Sequence, residues 1–257
     1  MTARPDLAPE PDRSRTEMEA LQGEIADAAV FEDELGFDPR SLGDPLGSAA
    51  SGSRPPVVAG VDQSFLSDGD RAVSAVVATR GEEVIARVDA VAPVEIPYVP
   101  GLLAFREGGP ILAALAELDV EPDLYLFDGS GRIHYRQAGI ATHVGVVRDV
   151  PSVGVAKGLL CGRPREDTEG LPAGSRVPIE ADADVDAPDG TTIGHAVQTK
   201  QYDSPNRHVN PLYVSPGHRV SAETAADAVL ALATGYKLPE PVRLADAHAA
   251  TAKGRYR

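Results

Sequence analysis

Residues 96–118, IPYVPGLLAFREGGPILAALAEL, and 123–162, DLYLFDGSGRIHYRQAGIATHVGVVRDVPSVGVAKGLLCG, decide the fold. Apolar runs of strand length alternate there with stretches long enough for helices, so these strands are expected to pair in parallel. The runs end on polar groups. Asp128 closes Leu124–Phe127 and precedes Gly129, Lys157 closes Val153–Ala156, and Glu107 follows the Pro100-Gly101 turn and opens an amphipathic run. Upstream, Asp62 closes Val57–Val61. Acids at the ends of neighbouring strands can converge on a divalent cation, and a lysine beside them suits a phosphate. The combination points to a metal-dependent nuclease.

Outward from this core, three strand-like runs at 57–65, 72–79 and 83–91 are separated by breaks of hairpin length, Ser67–Asp70 and Arg80–Glu82. An antiparallel three-strand meander is expected. After it come a helix near 108–119, a buried strand at 123–128, a helix near 137–148 and a strand at 153–156. The fold class is therefore α/β, a mixed sheet of a meander followed by parallel strands, flanked by helices. Residues 1–15 contain three prolines and no periodicity and are expected to be a mobile tail. Residues 16–257 then form a single domain. Within it, 16–34 carries Met18, Leu21, Ile25, Ala28 and Ala29 at helical spacing, and 38–56 is a Gly/Ser/Pro-rich surface linker. The acidic, Gly/Pro-rich segment 163–192 is expected to be an insertion with one hairpin, outside the core. Its Asp182, Asp184 and Asp186 alternate like the start of a calcium loop, but Ala187 and Ile193 stand where that loop needs Gly and Glu. A last helix is expected at 221–234, capped by Ser221.

Composition limits the alternatives. The 257 residues include one cysteine, Cys161, which excludes an internal disulfide and a cysteine metal cluster. No apolar run approaches the roughly 20 residues of a membrane span, and the cytoplasm is the expected compartment. A net charge of −15 disfavours nucleic-acid binding through a global field, so phosphates must be held by local contacts and metal. Lys157, Lys200, Lys237 and Lys253 are the only lysines among 39 acids. Such a surface suits a high-salt cytoplasm, where repulsion is screened within roughly 3 Å at 1 M salt, and a halophilic source is expected.

The elements PYVPGLLAFRE, DGSGRIHYRQAGIATHVG, VPSVGVAKGLLCG and the closing GHRVS and YKLPEPVRLAD, in order over most of residues 57–246, resemble the endonuclease V family of deaminated-base repair nucleases. The resemblance implies a ribonuclease H-like fold. It also implies Mg²⁺-supported hydrolysis, with Mn²⁺ able to substitute, of the second phosphodiester 3′ to a hypoxanthine in DNA. By the same resemblance Asp62, Glu107 and Asp128 are metal carboxylates, Lys157 is the phosphate lysine, and His134 is a catalytic-site histidine that orients a water or phosphate. Asp246, at a position where some members carry histidine, is preferred to His248 as a fourth carboxylate. Pro97, Tyr98, Val99 and Pro100 match the wedge that fills the gap left by an extracted base. Gly101, Leu103, Gly129, Gly139, Ile140, Ala156 and Leu160 would line the pocket that receives it. Ser130 departs from the histidine often found in the family's DGHG motif. The expected partner is deoxyinosine-containing DNA bound by a monomer. The alternatives are inosine-containing RNA as the main substrate, or a lesion-binding module that does not cut. Among the other histidines, His143 reads equally well as a core hydrogen-bonding group, and His218-Arg219 as support for the adjoining helix terminus.

Overall fold

Strands β1 (Val57–Phe65), β2 (Arg71–Arg80) and β3 (Glu83–Pro93) form the expected antiparallel meander. The computed structural model describes residues 3–43, 54–67, 69–204 and 206–256. Residues 44–53 of the expected linker, Asp68 of the first hairpin turn, and residues 1–2 of the expected tail lie outside that set. Strand β4 (Leu124–Asp128) pairs in parallel with β1, and β5 (Ser152–Ala156) in parallel with β4. The sheet continues antiparallel through β9 (Leu212–His218), β8 (Thr192–Val197), β7 (Arg176–Glu180) and β6 (Arg163–Pro164), nine strands in the order β3-β2-β1-β4-β5-β9-β8-β7-β6.

Side-chain alternation divides the core in two, because successive strand residues face opposite ways. Val58, Leu124, Leu126, Val153 and Val155 pack with α4 (Ala222–Ala231) and with Val242 of α5 (Glu240–Lys253). Ala59, Val61, Tyr125 and Phe127 pack on the other side with α2 (Leu103–Ala116) and α3 (Ile140–Arg148). A third cluster joins α1 (Arg15–Ala28), through Met18, Leu21 and Ile25, to Leu102, Phe105 and Val146. The result is a helix–sheet–helix sandwich with both faces of the central strands buried.

Four expectations are revised. Residues 3–9 do not form a tail free of the core. Leu7 is buried, its carbonyl meets His143 Nε2 at 2.8 Å, and Arg4 N–H donates to the Val147 carbonyl at 2.9 Å. The helix expected at 108–119 spans 103–116, placing Glu107 inside it. Gly108-Gly109-Pro110 reads as a helix start, but burial of Ala104, Phe105, Ile111, Ala114 and Leu115 outweighs the interruption. The 163–192 segment joins the sheet, and Val177, Ile179, Ala181, Val185 and Ile193 build a core with Ile133. Strand β9 and helix α5 were not anticipated. Pro216 argues against a strand, but it sits at a register shift opposite Ser152 and Val153, where a proline is tolerated. Helix α5 buries a face of small residues, Ala245, Ala249 and Ala252, which carries little hydrophobic periodicity.

Candidate active site

Strand register brings the acids together. Val61 pairs with Phe127 and Asp128 with Val155, so Asp62, which lies within β1 and does not close it as expected, stands level with Asp128 at the end of β4 and close to Lys157 just past β5. Each is an even number of residues from a side chain on the α4/α5 face, so all three share that face. Helix α5 supplies the fourth member. Gly60 has no side chain where α5 crosses, and a Cβ there would overlap the Pro241 carbonyl. From that crossing, five helical residues advance about 7.5 Å and two strand residues about 6.7 Å. Asp246 thus comes level with Asp62, and the two carboxyls hydrogen-bond. Glu107 approaches from the opposite layer. Gln63 ties it in, donating from Nε2 to the Glu107 carbonyl at 2.8 Å and to Ser74 Oγ at 2.7 Å.

The site is electrostatically crowded. Burial, the negative charge of Asp128 and the bond to Asp246 push the pKa of Asp62 up to about 8, against the opposing effects of Gln63 and Lys157. Burial, with Asp128 contributing, raises Glu107 to about 7. Lys157 Nζ lies 2.6 Å from Asp128 Oδ2. Partial burial works against the charge of Lys157, but the bond to Asp128 and the charges of Asp128, Asp62 and Asp246 raise its pKa. Among the described residues no three His, Cys, Asp or Glu side chains surround one point closely enough to ligate an ion as they stand. The donor chemistry nevertheless fits a hard divalent cation: four carboxylates from three layers, two held partly protonated at neutral pH for want of positive charge.

The expected wedge stands beside this centre. Tyr98 is 65% exposed, and Pro97 and Pro100 are exposed with it. The loop is anchored at Gly101, whose φ of +79° favours glycine. Its carbonyl accepts from Gln22 Nε2 at 2.7 Å and lies 3.0 Å from His134 Nε2. His134 Nδ1 accepts from Arg136 N–H at 3.1 Å, so the proton belongs on Nε2, which donates to Gly101. Burial lowers the pKa of this histidine to about 4. Both ring nitrogens of His134 are thus engaged, one with Gly101 and one with Arg136, and the ring braces the loop that carries Tyr98. Gln22, which completes the clamp and accepts from Arg136 Nη1 at 3.1 Å, was not singled out from the sequence. Its only signal there is a polar residue on the apolar face of α1.

The remaining candidates divide. Leu103, Gly129, Ala156 and Leu160 are half-buried, whereas Gly139 and Ile140 are buried, Gly139 against the Ser130 and Gly131 carbonyls. A hollow of about 390 Å³ opens beside Lys157, Gly158 and Leu159 and is closed by Asp167, Thr168, Glu169, Asn210 and Tyr213. Another, of about 430 Å³, lies at the far end of β1 by Thr79, Gly81 and Pro241 and contains none of the candidate residues. His248 lies 2.9 Å from Asp89 on β3, consistent with the preference for Asp246. His143 is a core histidine held by Leu7. His218 accepts from Val30 N–H, and Arg219 pairs with Asp149 at 2.8 Å, so the GHRVS motif fastens the segment after α1 to the ends of β9 and α3.

Comparison with known proteins agrees with this geometry. Residues 47–247 match the model of the Endonuclease V family. An endonuclease V from Haloarcula marismortui is 59% identical, over 97% of this chain and 96% of that one. The crystal structure of endonuclease V from Streptomyces avermitilis superposes with a TM-score of 0.76 at 33% identity, covering 95% of each chain. That of the Ciona intestinalis enzyme, in complex with a 24mer DNA containing an inosine followed by a ribo-adenosine, gives a TM-score of 0.72 at 25% identity, covering 94% of this chain and 98% of that one. The chain belongs to the endonuclease V family and is, by that membership, a nuclease.

Proposed function

We propose that this protein is a Mg²⁺-dependent endodeoxyribonuclease of DNA repair that recognises hypoxanthine and hydrolyses the second phosphodiester 3′ to it. The observation that carries the reading is the convergence of Asp62, Glu107, Asp128 and Asp246 with Lys157, next to an exposed tyrosine on a clamped loop. Asp62, Glu107, Asp128 and Asp246 would hold Mg²⁺, with Mn²⁺ as a substitute. When bound, the ion supplies Lewis-acid charge and activates the attacking water. The chain itself does the rest. Lys157 exchanges its bond to Asp128 for a phosphate oxygen. Tyr98 fills the space of the extracted base, at the usual unstacking cost of a few kcal/mol. Gly101, Leu103, Gly129 and Ala156 receive the base, with Gly139, Ile140 and Leu160 packed behind them. The DNA bound by the Ciona relative contains an inosine, which supports this substrate class. The Haloarcula relative and the charge of −15 support work in a salt-rich cytoplasm.

A second reading, an inosine-specific endoribonuclease, is favoured by one fact: the inosine in the Ciona complex is followed by a ribonucleotide. The test is cleavage of end-labelled DNA and RNA oligonucleotides, each with or without one inosine, in Mg²⁺ and molar KCl. A nick one nucleotide beyond the inosine's own 3′ phosphate, absent with Glu107→Ala, is expected, and the faster polymer is the substrate. Cutting that ignores inosine would overturn the reading.

A further inference from the structure

Three large apolar side chains are exposed among the described residues, and all are tyrosines: Tyr98 on the wedge, and Tyr202 and Tyr236. The last two sit in one cluster with cations. Lys200 Nζ lies 5.6 Å from the Tyr202 ring centre and 5.8 Å from that of Tyr236. The Arg207 guanidinium stacks 4.1 Å over Tyr202, and that of Arg243 4.6 Å over Tyr236. Lys237 follows Tyr236, and its carbonyl accepts from Thr199 Oγ at 2.5 Å, joining the α4–α5 loop to the segment after β8.

Most arginines with an ionic partner in this acidic chain are paired to a carboxylate, as Arg163, Arg165, Arg219 and Arg255 are. Arg243 is also paired, to Glu240 at 2.6 Å, and serves to brace Tyr236. Lys200, Arg207 and Lys237 differ. Among the described residues none has a carboxylate within ion-pair distance, although Asp203 lies in the same loop. Aromatic rings hold cations by their quadrupole without neutralising them, so this cluster remains positive on a molecule of net charge −15.

The cluster is continuous with the candidate active site. Burial lowers the pKa of Lys237 and the charge of Lys157 adds to the lowering, so the two ammonium groups are within electrostatic reach. Lys157, Asp62 and Asp128 lie with this cluster on the α4/α5 face, whereas Tyr98 and its clamp lie on the α1/α3 face, from which side Glu107 approaches. A strand whose lesion is held at Tyr98 and whose cut falls at the carboxylates must leave past Lys157.

We propose that Lys200 and Arg207, racked on Tyr202 and Tyr236, together with Lys237 next to Tyr236 in the chain, form a seat for the phosphate backbone of the substrate strand on the 3′ side of the cut. The proposal rests on the functional reading above. A global field cannot attract nucleic acid to so acidic a protein, so local, unneutralised cations must supply the phosphate contacts.

The test is fluorescence anisotropy of the full chain, without divalent metal, on inosine duplexes with a short or long arm on the 3′ side, and on the mirror set with the arm on the 5′ side. Wild-type protein should bind more tightly as the 3′ arm lengthens. The Lys200→Gln/Arg207→Gln double variant should lose that gain. Its slope of log affinity against log KCl should be shallower by about 1.8, two phosphate contacts at about 0.9 each. A charge-matched double variant away from the cluster, Arg87→Gln/Lys253→Gln, should keep both gain and slope. If the double variant melts early, Lys200→Gln alone should give half the slope change. Retention of gain and slope by the double variant, or a gain that follows the 5′ arm, overturns the seat. An arm-dependent gain that is lost in the double variant but is equal on inosine-free duplexes supports the seat and overturns the inosine reading, so the two fail separately.

Discussion

Two buried polar clusters lie beyond the ends of the parallel strands, and they are built on opposite principles. In one, Asp62, Glu107, Asp128 and Asp246 crowd like charges against a single lysine, and burial and repulsion push Asp62 and Glu107 up to about 8 and about 7. In the other, Gln22, His134 and Arg136 close a hydrogen-bonded set around the Gly101 carbonyl, with His134 held neutral. The first sacrifices stability to keep carboxylates buried and uncompensated, which under the proposed function would serve a cation and a phosphate. The second is satisfied and gains stability by fixing the base of the wedge loop. Polar burial alone therefore does not mark chemistry; an unmet electrostatic demand does.

The largest effect that would break this contrast is on activity. Asp62→Asn or Asp128→Asn should reduce cleavage more than about 100-fold, since even groups that only support a metal ligand cost 10–100-fold. The same variants should melt at an unchanged or higher temperature, because a repelled buried charge has been removed. Cleavage assays with thermal melts check both, and a variant that both cuts normally and melts early would reverse the roles assigned to the clusters.

The histidine side is sharpened by pH. Burial lowers both His134 and His143 to about 4, against about 6.5 in the unfolded chain. As pH falls the unfolded chain takes up these protons first, so the stabilisation is complete above about 6.5 and is lost through about 4. The loss is on the order of 3 kcal/mol per histidine. Urea midpoints between pH 7.5 and pH 4.5 should fall steeply, and His143→Gln, which can still donate to Leu7, should flatten the fall by about half.

Gln22→Leu should cost about 1–3 kcal/mol, the penalty for a buried acceptor that loses a donor. It should also reduce preference for inosine, because the Gly101 anchor loosens; a stability loss with selectivity intact would make Gln22 structural only. The smallest effect on stability is expected for Tyr98→Ala. Tyr98 is exposed, so the melting temperature should not move, whereas loss of stacking worth about 1–3 kcal/mol should lower lesion affinity about 5- to 150-fold. Equal binding of inosine and control duplexes by wild type and variant would remove the wedge.

Much of this was legible in the chain itself. Asp62, Asp128 and Lys157 each follow an apolar run that is unmistakable, although β1 continues past Asp62 to Phe65, and two-residue alternation puts the three on one face. The meander was readable from its hairpin breaks and the cap at Ser221 from its position. Less legible were elements whose local signals oppose their place. Pro216 hides β9, the alanine face of α5 hides a helix, and Gly108-Gly109-Pro110 hides the first turns of α2. The acidic 163–192 segment looked like an excursion because its few apolar residues pack with Ile133, Tyr135 and Tyr213, partners far away in sequence. The contacts of His134 with Gly101 and Arg136 were not legible, because a motif gives a residue its neighbourhood and not its hydrogen-bond partners.

The sequence by itself determined the α/β class, the meander and the parallel strands after it up to β5, and the family, and it put forward the carboxylates and lysine of the candidate site. Local periodicity and residue chemistry suffice for these. Tertiary structure alone decided that α5 crosses at Gly60 and brings Asp246 level with Asp62, and that α1 reaches Gly101 through Gln22. It also decided that Lys200 and Arg207 gather on two tyrosines, with Lys237 following the second. Each of these joins residues distant along the chain, and such contacts are fixed by packing across layers, which no local pattern encodes.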